Sequence, residues 1–296
     1  MQDLRIKNLL ESGRDQVKDP SFVMVGCPVD EGVERNGGRK GAAQAPSLIR
    51  KYLNKMTPPA SMHERFSDLI SGGIDLGDIE VKQMEAMQQN LGDVIAPWLE
   101  KDVPVIILGG GHETSYGHYL GYRKAQIAHH VLNLDAHADV RPLNEGKGHS
   151  GSPFRQIMDD RSALCQGYRV AGLQPQSVAH EHVDFIKSHE GSCFFIEDTD
   201  ISLIENLYSN AFNTTFATFD MDAVDQSLAP GVSAPCPHGV SKSLWLQAAF
   251  LAGKNPKVTS MDLVEINPEY DQDDHTLRLG ALTIWNFLCG LSIRNV

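Results

Sequence analysis

Acidic and histidine side chains alternate in the segment VLNLDAHADVRP, where Asp135, His137 and Asp139 occupy every second position. Alternate positions of an extended segment point to the same side, so we expect these side chains to lie together. Asp220 and Asp222 repeat the spacing in TFATFDMDAVD. If the two segments meet, their four carboxylates repel each other strongly unless cations neutralise them. Mixed carboxylate and imidazole ligands suit Mn²⁺, with Zn²⁺, Fe²⁺ or Co²⁺ as alternatives, and we therefore predict a dinuclear metal site.

Each of these patterns also has an ordinary structural explanation when it is taken alone. A D-x-H-x-D segment occurs in helix caps and solvated turns, and DMD can also cap a helix. Three glycines precede His112, and such loops cradle phosphate too, although no lysine follows here as in a P-loop. The metal interpretation is favoured because all three patterns follow predicted strands.

Short apolar runs, separated by amphipathic stretches, determine where these side chains are placed. Near-continuous Val, Ile, Leu and Phe runs are typical of parallel strands covered on both faces. Their alternation with helices predicts an α/β fold, a three-layer α/β/α sandwich with a mainly parallel central sheet, in one domain spanning residues 1–296. The predicted strands are 22–26, 103–109, 130–134, 168–173, 192–196, 215–219 and 258–266, and the predicted helices are 80–101, 115–128, 177–189, 241–253 and 276–291. Ligands of such folds bind beyond the carboxyl ends of the strands, where His112, both aspartate clusters and Glu265 fall.

The composition excludes several classes of partner. The 38 acidic residues exceed the 26 basic ones, and the net charge of -12 argues against binding to nucleic acid or to anionic membranes. No segment resembles a signal peptide or the roughly 18 apolar residues of a membrane span. Five cysteines lie far apart and outside any CxxC motif. We therefore predict free thiols in a reducing cytoplasm.

Four segments together resemble the signature sequences of the arginase or ureohydrolase family. They are GGGHE, NLDAHADVRP, TFDMDAVDQSLAPGVSAPCPHG and SMDLVEINPEYD, and the resemblance extends from about residue 20 to the C-terminus. It implies an arginase-like fold with two Mn²⁺ ions per subunit. One ion would be bound by His112, Asp135, Asp139 and Asp220, and the other by Asp135, His137, Asp220 and Asp222. The resemblance also implies a homo-oligomer, by analogy with family members that are trimers or hexamers.

The reaction follows from the same resemblance. A hydroxide bridging the two ions would attack the carbon of a guanidinium or amidinium group. Glu265 matches the acid that pairs with the planar nitrogens of the substrate, and a carboxylate fits such a fork of N–H donors. Asp222 or His149 would protonate the departing amine. His149, in KGHSGSPF, matches the loop histidine of the family in position, and the alternative is a surface histidine.

Within the family, three features favour the formimidoylglutamase branch over arginases and agmatinases. GGGHE lacks the Asp and Ser that usually flank the histidine in those enzymes, and GLQPQS (172–177) lacks the acid that binds the α-ammonium group in arginases. Arg141 stands two residues after Asp139, at a position that contacts the substrate carboxylate in arginases. Arginine suits a substrate with two carboxylates, although a surface arginine is the alternative. Arg35 or Arg39, in GVERNGGRKGAAQAPSLIR, could bind the distal carboxylate.

The implied activity is hydrolysis of a small-molecule amidine, N-formimidoyl-L-glutamate, to L-glutamate and formamide, a step in histidine breakdown. A guanidino hydrolase of the arginase, agmatinase or guanidinobutyrase type is the main alternative. A two-metal phosphoesterase is a weaker one, because it would leave Glu265 without a purpose and an acid repels phosphate. A metal-binding regulator without turnover is disfavoured by the complete ligand set together with His149 and Glu265.

Overall fold

A single parallel sheet forms the centre of the structure, a computed structural model that describes residues 4–12, 18–211 and 214–294. The strands are β1 (Glu11–Ser12), β2 (Phe22–Cys27), β3 (Gly73–Asp78), β4 (Val105–Gly109), β5 (His129–Leu134), β6 (Cys165–Leu173), β7 (Ser192–Phe195), β8 (Thr215–Asp220) and β9 (Val258–Val264). They lie in the order β1-β3-β2-β4-β9-β8-β5-β6-β7. Every pairing of these strands is parallel, which confirms the predicted sheet.

Helices cover both faces of this sheet. They are α1 (Ile6–Leu9), α2 (Glu31–Arg35), α3 (Ala45–Leu53), α4 (His63–Ser71), α5 (Met84–Leu99), α6 (Thr114–Lys124), α7 (Pro153–Met158), α8 (His180–Ser188), α9 (Ile201–Ser209), α10 (Lys242–Lys254) and α11 (His275–Leu291). One apolar core joins the sheet to α3, α4, α9, α10 and α11, and a second core joins it to α5, α6, α7 and α8. No helix in the described part of the chain is long and apolar enough to cross a membrane.

The strands supply side chains to both cores in alternation. In β4, Ile106 and Leu108 enter the first core, while Val105 and Ile107 enter the second. Because both sides of the strand are buried, the sequence reads as a continuous apolar run and not as an alternating one. The three-layer sandwich predicted from these runs is confirmed.

Some elements were not predicted. β3 has the sequence GIDLGD and is only partly buried, so it lacks the apolar run of the central strands. Its Asp75 instead accepts two hydrogen bonds from the guanidinium of Arg50, at 2.8 and 3.1 Å. The prediction also missed β1 and the helices α1, α2, α3, α4, α7 and α9, which lie in polar or mixed segments.

Four neighbouring strands position the residues of chemical interest. β4, β9, β8 and β5 are adjacent in the sheet, and since all are parallel, their carboxyl ends meet at one edge. His112 follows β4, Glu265 follows β9, and Asp220 ends β8. Asp135 directly follows β5. The sheet therefore brings together segments that are up to 153 residues apart in the chain.

Candidate metal centre

Three carboxylates converge around the ring of His112. Its Nδ1 lies 2.9 Å from Oδ2 of Asp220, 3.0 Å from Oδ2 of Asp139 and 3.4 Å from Oδ2 of Asp135. All four ligand atoms lie within 4.8 Å of one another, which suits one metal ion. The structure thus brings together the four residues of the first predicted ligand set.

A second group forms on the other side of Asp135. Nδ1 of His137 lies 3.1 Å from Oδ2 of Asp222 and 3.7 Å from Oδ1 of Asp135. Asp135, His137 and Asp222 form the second cluster of ligand atoms. Asp135 therefore directs one oxygen toward each group, as expected of a bridging ligand. Asp220 lies in the first cluster, and its bridging role stays a prediction.

Short local hydrogen bonds hold these carboxylates in place. The backbone N–H of His137 donates to Oδ1 of Asp135 over 2.6 Å, and Asn133 Nδ2 donates to Oδ2 over 2.8 Å. The N–H of Asp222 donates in the same way to Oδ1 of Asp220, over 2.9 Å. The D-x-H and D-x-D spacings thus produce turns in which the first aspartate accepts from the residue two positions later. This local geometry explains why the spacing alone predicted much of the site.

Two residues of the site have strained backbones. Asp139 has a φ of 46° and Glu265 a φ of 63°, in the left-handed region that residues other than glycine rarely adopt. Such conformations persist only where the surrounding structure enforces them, and they are frequent at functional sites. Glu265 has this conformation directly after β9, and Asp139 has it in the loop that follows β5.

The electrostatics of the cluster favour a bound cation. Burial raises the pKa of Asp220 well above its usual value, and the charges of Asp222 and Asp135 raise it further. Burial opposes the charged form of His112, yet the adjacent carboxylates of Asp139 and Asp220 raise its pKa well above the usual value. The raised pKa values mean that His112 and Asp220 retain protons when no metal is bound, and a divalent cation that binds to these side chains would displace the protons.

The unpaired atoms of the cluster agree with this. Nδ1 of His112 and Oδ1 of Asp222 are buried, and neither has a hydrogen-bond partner among the described residues. A buried polar atom without a partner is costly, and a metal ion would use both atoms as ligands. The set of carboxylates and imidazoles fits Mn²⁺ or a similar divalent ion.

Glu265 lies beside the cluster and is almost completely buried. Its Oε1 accepts the backbone N–H of His112 over 2.8 Å, so β9 and the glycine loop after β4 are joined directly at the site. Burial raises the pKa of Glu265 well above its usual value, and the charges of Glu113 and Asp222 add to this. A cationic group in the cavity would favour the ionised form of this side chain.

Two cavities give access to the cluster. The inner one has a volume of about 290 Å³ and is lined by His137, Asp139, Asp220, Asp222, Glu265, Arg39, Arg141 and Asn36, among others. The outer one has a volume of about 770 Å³ and contains Arg35, His149 and His182 in its wall. Asn36 and Arg141 line both cavities, so they lie at the passage from one to the other.

The three arginines predicted to bind the substrate carboxylates differ in how many other groups their guanidinium groups already contact. Arg35 forms ion pairs of 2.6 Å with Glu31 and 2.5 Å with Glu85, and it lines only the outer cavity. Arg39 donates to the carbonyl oxygens of Ser233 and Val232 and stacks on Tyr270, with its guanidinium carbon 3.9 Å from the ring centre.

Arg141, by contrast, is exposed and donates to Oδ1 of Asn36 over 3.2 Å. It has no carboxylate partner in the described part of the chain. Among the three, its guanidinium is therefore the most available for an anionic ligand.

His149 lies at the outer cavity and is not a surface histidine. Both ring nitrogens have partners, since the N–H of Gly151 donates to Nδ1 over 3.2 Å and Nε2 lies 3.1 Å from the carbonyl oxygen of Pro142. His149 is not among the residues that line the inner cavity. Proton transfer by this ring to a group near the metal ligands would require rearrangement of the segment that carries Pro142, and this role stays a prediction.

The sequence analysis did not identify several residues of the site. Asn36, Ser150 and Ser233 line the inner cavity. Glu113, the residue after the candidate ligand His112, joins α2 to the glycine loop that follows β4. Glu113 Oε1 accepts the backbone N–H of Gly32 over 2.7 Å, and a Cβ on Gly32 would come within 2.5 Å of this side chain. The glutamate in GGGHE was the available signal, because an acid directly after a buried ligand needs a partner.

Taken together, the parallel α/β sandwich and the two clusters of candidate ligands at its carboxyl edge fit a metal-dependent hydrolase. The chain belongs to the arginase family, whose model matches residues 20–290.

Individual relatives narrow this further. The chain is 35% identical to a formimidoylglutamase of Geobacillus thermodenitrificans, over 94% of this chain and 86% of that protein. Its structure is similar to that of Trypanosoma cruzi formiminoglutamase with Mn²⁺, with a TM-score of 0.91, 28% identity and coverage of 99% and 100%. The agmatine ureohydrolase of Thermoplasma volcanium has the same fold at 22% identity, with a TM-score of 0.80 and coverage of 97% and 93%. Since both enzymes have this fold, the substrate must be argued from the cavity.

Proposed function

We propose that this chain hydrolyses N-formimidoyl-L-glutamate to L-glutamate and formamide with two bound Mn²⁺ ions. The observation that carries the proposal is the inner cavity, where members of both ligand clusters line the same space as Glu265 and Arg141. Relatives named formimidoylglutamase, at 30 to 35% identity over most of the chain, support the choice of substrate.

The residues that would hold the ions follow from the two clusters. His112, Asp135, Asp139 and Asp220 would bind one ion, and Asp135, His137 and Asp222 the other. The family resemblance adds Asp220 to the second set, as a ligand shared by both ions. When bound, such a pair of ions lowers the pKa of a shared water and stabilises negative charge on oxygen. The hydrogen bonds to Asp135 and Asp220 described above hold both carboxylates in position before metal binds.

Glu265 would orient the reacting group. An amidinium presents two N–H donors in one plane, and a buried carboxylate is the fitting acceptor for them. Oε1 of Glu265 is already held by the N–H of His112, so its position relative to the first cluster is fixed. Asp222, which lies in the second cluster and lines the same cavity, would carry the proton to the departing nitrogen of glutamate, with His149 as the alternative donor.

Arg141 would select for the substrate carboxylate. The substrate carries two carboxylates and no free α-ammonium group, so cationic side chains at the rim suit it. Gln174, in the segment where arginases place an acid, is buried and donates to the carbonyl oxygen of His238 over 2.7 Å. An ammonium group would find no carboxylate at this position. Arg39 and Arg35 are weaker candidates for the distal carboxylate because their guanidinium groups already have partners.

The test is a substrate panel with the purified chain reconstituted with Mn²⁺. We expect kcat/KM for formimidoylglutamate to exceed that for agmatine, arginine and guanidinobutyrate by at least about a hundredfold, since a site built for one pattern of charges rejects the others strongly. Faster hydrolysis of any of the three guanidino compounds would overturn the choice of substrate and leave the metal centre intact.

A variant tests the part assigned to Arg141. Arg141→Gln should raise KM for formimidoylglutamate by about tenfold with little change in kcat, because an exposed charged hydrogen bond contributes at the low end of its usual range. Arg123→Gln is the matched control, since Arg123 pairs with Asp160 at 3.4 Å and lines neither cavity. An unchanged KM in Arg141→Gln would remove this residue from the proposal.

Two further parts of the proposal concern the cell and the assembly. All five cysteines are free in the structure, in keeping with a reducing cytoplasm. We also propose a homo-oligomer by analogy with the family. Light scattering on the purified chain gives the mass of the particle directly, and a mass of one chain would refute the second part.

A further inference from the structure

A chain of buried polar side chains leads from the metal ligand His112 into the layer between α6 and the sheet. Nothing in the reaction described above uses it. Its members are at most 1% exposed, and they are His112, Thr218, Ser115, Asp262, His118, Ser260 and Tyr122.

The links of this chain are hydrogen bonds. Nε2 of His112 lies 2.9 Å from Oγ1 of Thr218, which lies 3.4 Å from Oγ of Ser115. Ser115 donates to Oδ2 of Asp262 over 2.8 Å. From the other side, Nδ1 of His118 also lies 2.8 Å from that same oxygen.

Beyond His118 the chain continues away from the metal site. Its Nε2 lies 2.6 Å from Oγ of Ser260, which lies 2.5 Å from the hydroxyl of Tyr122. Ser115, His118 and Tyr122 lie three and four residues apart in α6, so they share the helix face that packs on β8 and β9. Thr218 belongs to β8, where it is paired with Asp262 of β9. Ser260 and Asp262 are two residues apart in β9 and so point to the same face of the sheet.

The direction of donation can be assigned from the chemistry of the members. A carboxylate only accepts, so Ser115 and His118 both direct a proton to Asp262. The hydroxyl of Ser115 is then free to accept from Thr218, and Oγ1 of Thr218 accepts from Nε2–H of His112. Every donor on the metal side thus points toward Asp262.

This polarity matters for His112. With its proton held on Nε2 by Thr218, the ring presents the lone pair of Nδ1 to the cluster of Asp135, Asp139 and Asp220. The opposite tautomer would present a proton there and could not bind a metal ion. In known metal sites, residues that hold the outer nitrogen of a ligating histidine change metal affinity or activity by 10- to 100-fold.

We propose that Asp262 is a positioning residue for the metal centre, which acts through Ser115 and Thr218 to hold His112 in the tautomer that binds metal. The proposal rests on the metal-binding function proposed above. It assigns a role to the aspartate of SMDLVEINP that is distinct from the ligands and from Glu265.

Thr218 gives the sharpest test, because its replacement by valine keeps the volume and removes the hydroxyl that accepts from His112 and donates to Ser115. Thr218→Val should weaken Mn²⁺ binding at one of the two sites by about 10- to 100-fold, measured by titration of the full metal-free chain. Thr218→Ser, which retains a hydroxyl, should bind Mn²⁺ within about threefold of the wild type.

A matched control is available in the helical layer. Thr283 also accepts a ring N–H, from Nε1 of Trp245 over 2.7 Å, and is fully buried between α10 and α11. Thr283→Val should lower the thermal midpoint comparably while leaving both Mn²⁺ affinities unchanged. Equal losses of affinity in Thr283→Val and Thr218→Val would show a general effect on folding and overturn the proposal.

Two further variants address Asp262 itself. Asp262→Leu removes the oxygen that accepts from both Ser115 and His118. Ser115→Ala interrupts the chain while leaving the pair of Asp262 with His118. Both should weaken the same site as Thr218→Val, and if Asp262→Leu does not fold, Ser115→Ala decides.

The outcomes separate the two proposals. If the wild type binds two ions and Ser115→Ala and Thr218→Val bind them equally well, the role of Asp262 is refuted while the metal centre stands. If the wild type binds no ion, the proposed function fails, and the role of Asp262 fails with it. In Zn²⁺-loaded protein with labelled histidine nitrogens, we also expect a proton on Nε2 of His112, and a proton found on Nδ1 would refute the tautomer.

Discussion

Replacing Glu265 by glutamine removes one negative charge from the inner cavity and keeps the hydrogen bond that holds the side chain. Oε1 of the amide can still accept the N–H of His112, which now lies 2.8 Å away. The other end of the side chain, however, becomes an NH₂ group. It would face the N–H donors of an amidinium substrate, so an attraction is replaced by a repulsion.

The size of the effect follows from the burial of this residue, which is only 5% exposed. Hydrogen bonds to charged groups contribute about 1.5–3 kcal/mol each, and little solvent is present here to weaken them. Loss of a charged pair and gain of an unpaired donor should therefore cost about 3–4 kcal/mol in the transition state. This corresponds to a decrease in kcat/KM of about a hundred- to a thousandfold.

The assay compares Glu265→Gln with Glu113→Gln, using formimidoylglutamate and a measured Mn²⁺ content for each variant. Glu113 is also a buried acid whose Oε1 accepts a backbone N–H, in its case from Gly32, but it does not line the inner cavity. We expect Glu113→Gln to retain activity within about tenfold. The reasoning is refuted if Glu265→Gln with a full complement of Mn²⁺ retains more than about a tenth of the wild-type kcat/KM.

Three other outcomes are expected. Removal of metal by a chelator should abolish activity and lower the thermal midpoint, and added Mn²⁺ should restore both. The reason is that ions that bind only the folded state stabilise it. A thermal midpoint unaffected by chelation would argue against a buried metal site. Gly253→Ala should lower the free energy of unfolding by about 1–3 kcal/mol. The added Cβ would lie 2.0 Å from the carbonyl oxygen of Phe287, where α10 and α11 meet. An unchanged midpoint of urea unfolding would contradict this close approach. Burial lowers the pKa of His129 to about 4, so the stability it contributes is complete above the unfolded value of about 6.5 and is lost as the pH falls toward 4. In urea titrations, the loss of stability between pH 7 and pH 5 should be about 2 kcal/mol smaller in His129→Phe than in the wild type, because His130, whose pKa burial also lowers to about 4, still contributes in both proteins. An equal loss in the two proteins would contradict the lowered pKa of His129.

The convergence of the candidate metal ligands could be predicted because their signals are local. Asp135 and His137 are joined by a turn two residues long, and each ligand segment directly follows an apolar strand. The parallel sheet could also be predicted from the sequence, since its central strands are buried on both faces and therefore form continuous apolar runs.

The surroundings of the site could not be predicted because they depend on distant contacts. Arg35 pairs with Glu85, which is 50 residues away, and Arg39 is held by Ser233, which is 194 residues away. All three arginines were therefore identified as candidates for binding the substrate carboxylates. The sequence does not contain the information that distinguishes the available Arg141 from Arg35 and Arg39, which are held by other groups. The position of His149 in the outer cavity depends in the same way on how its loop folds.

The order of the strands has a consequence for the synthesis of the protein. β9 is the last strand along the chain, yet it lies between β4 and β8 in the middle of the sheet. A growing chain on the ribosome cannot close the sheet until Val264 has emerged, and until then the edges of β4 and β8 cannot pair with their final neighbour. His112 follows β4 and Asp220 ends β8, so the first cluster can form only after β9 has been made and has paired with both strands. Uptake of the ions must therefore come late, and a truncated product that lacks β9 should bind none with high affinity.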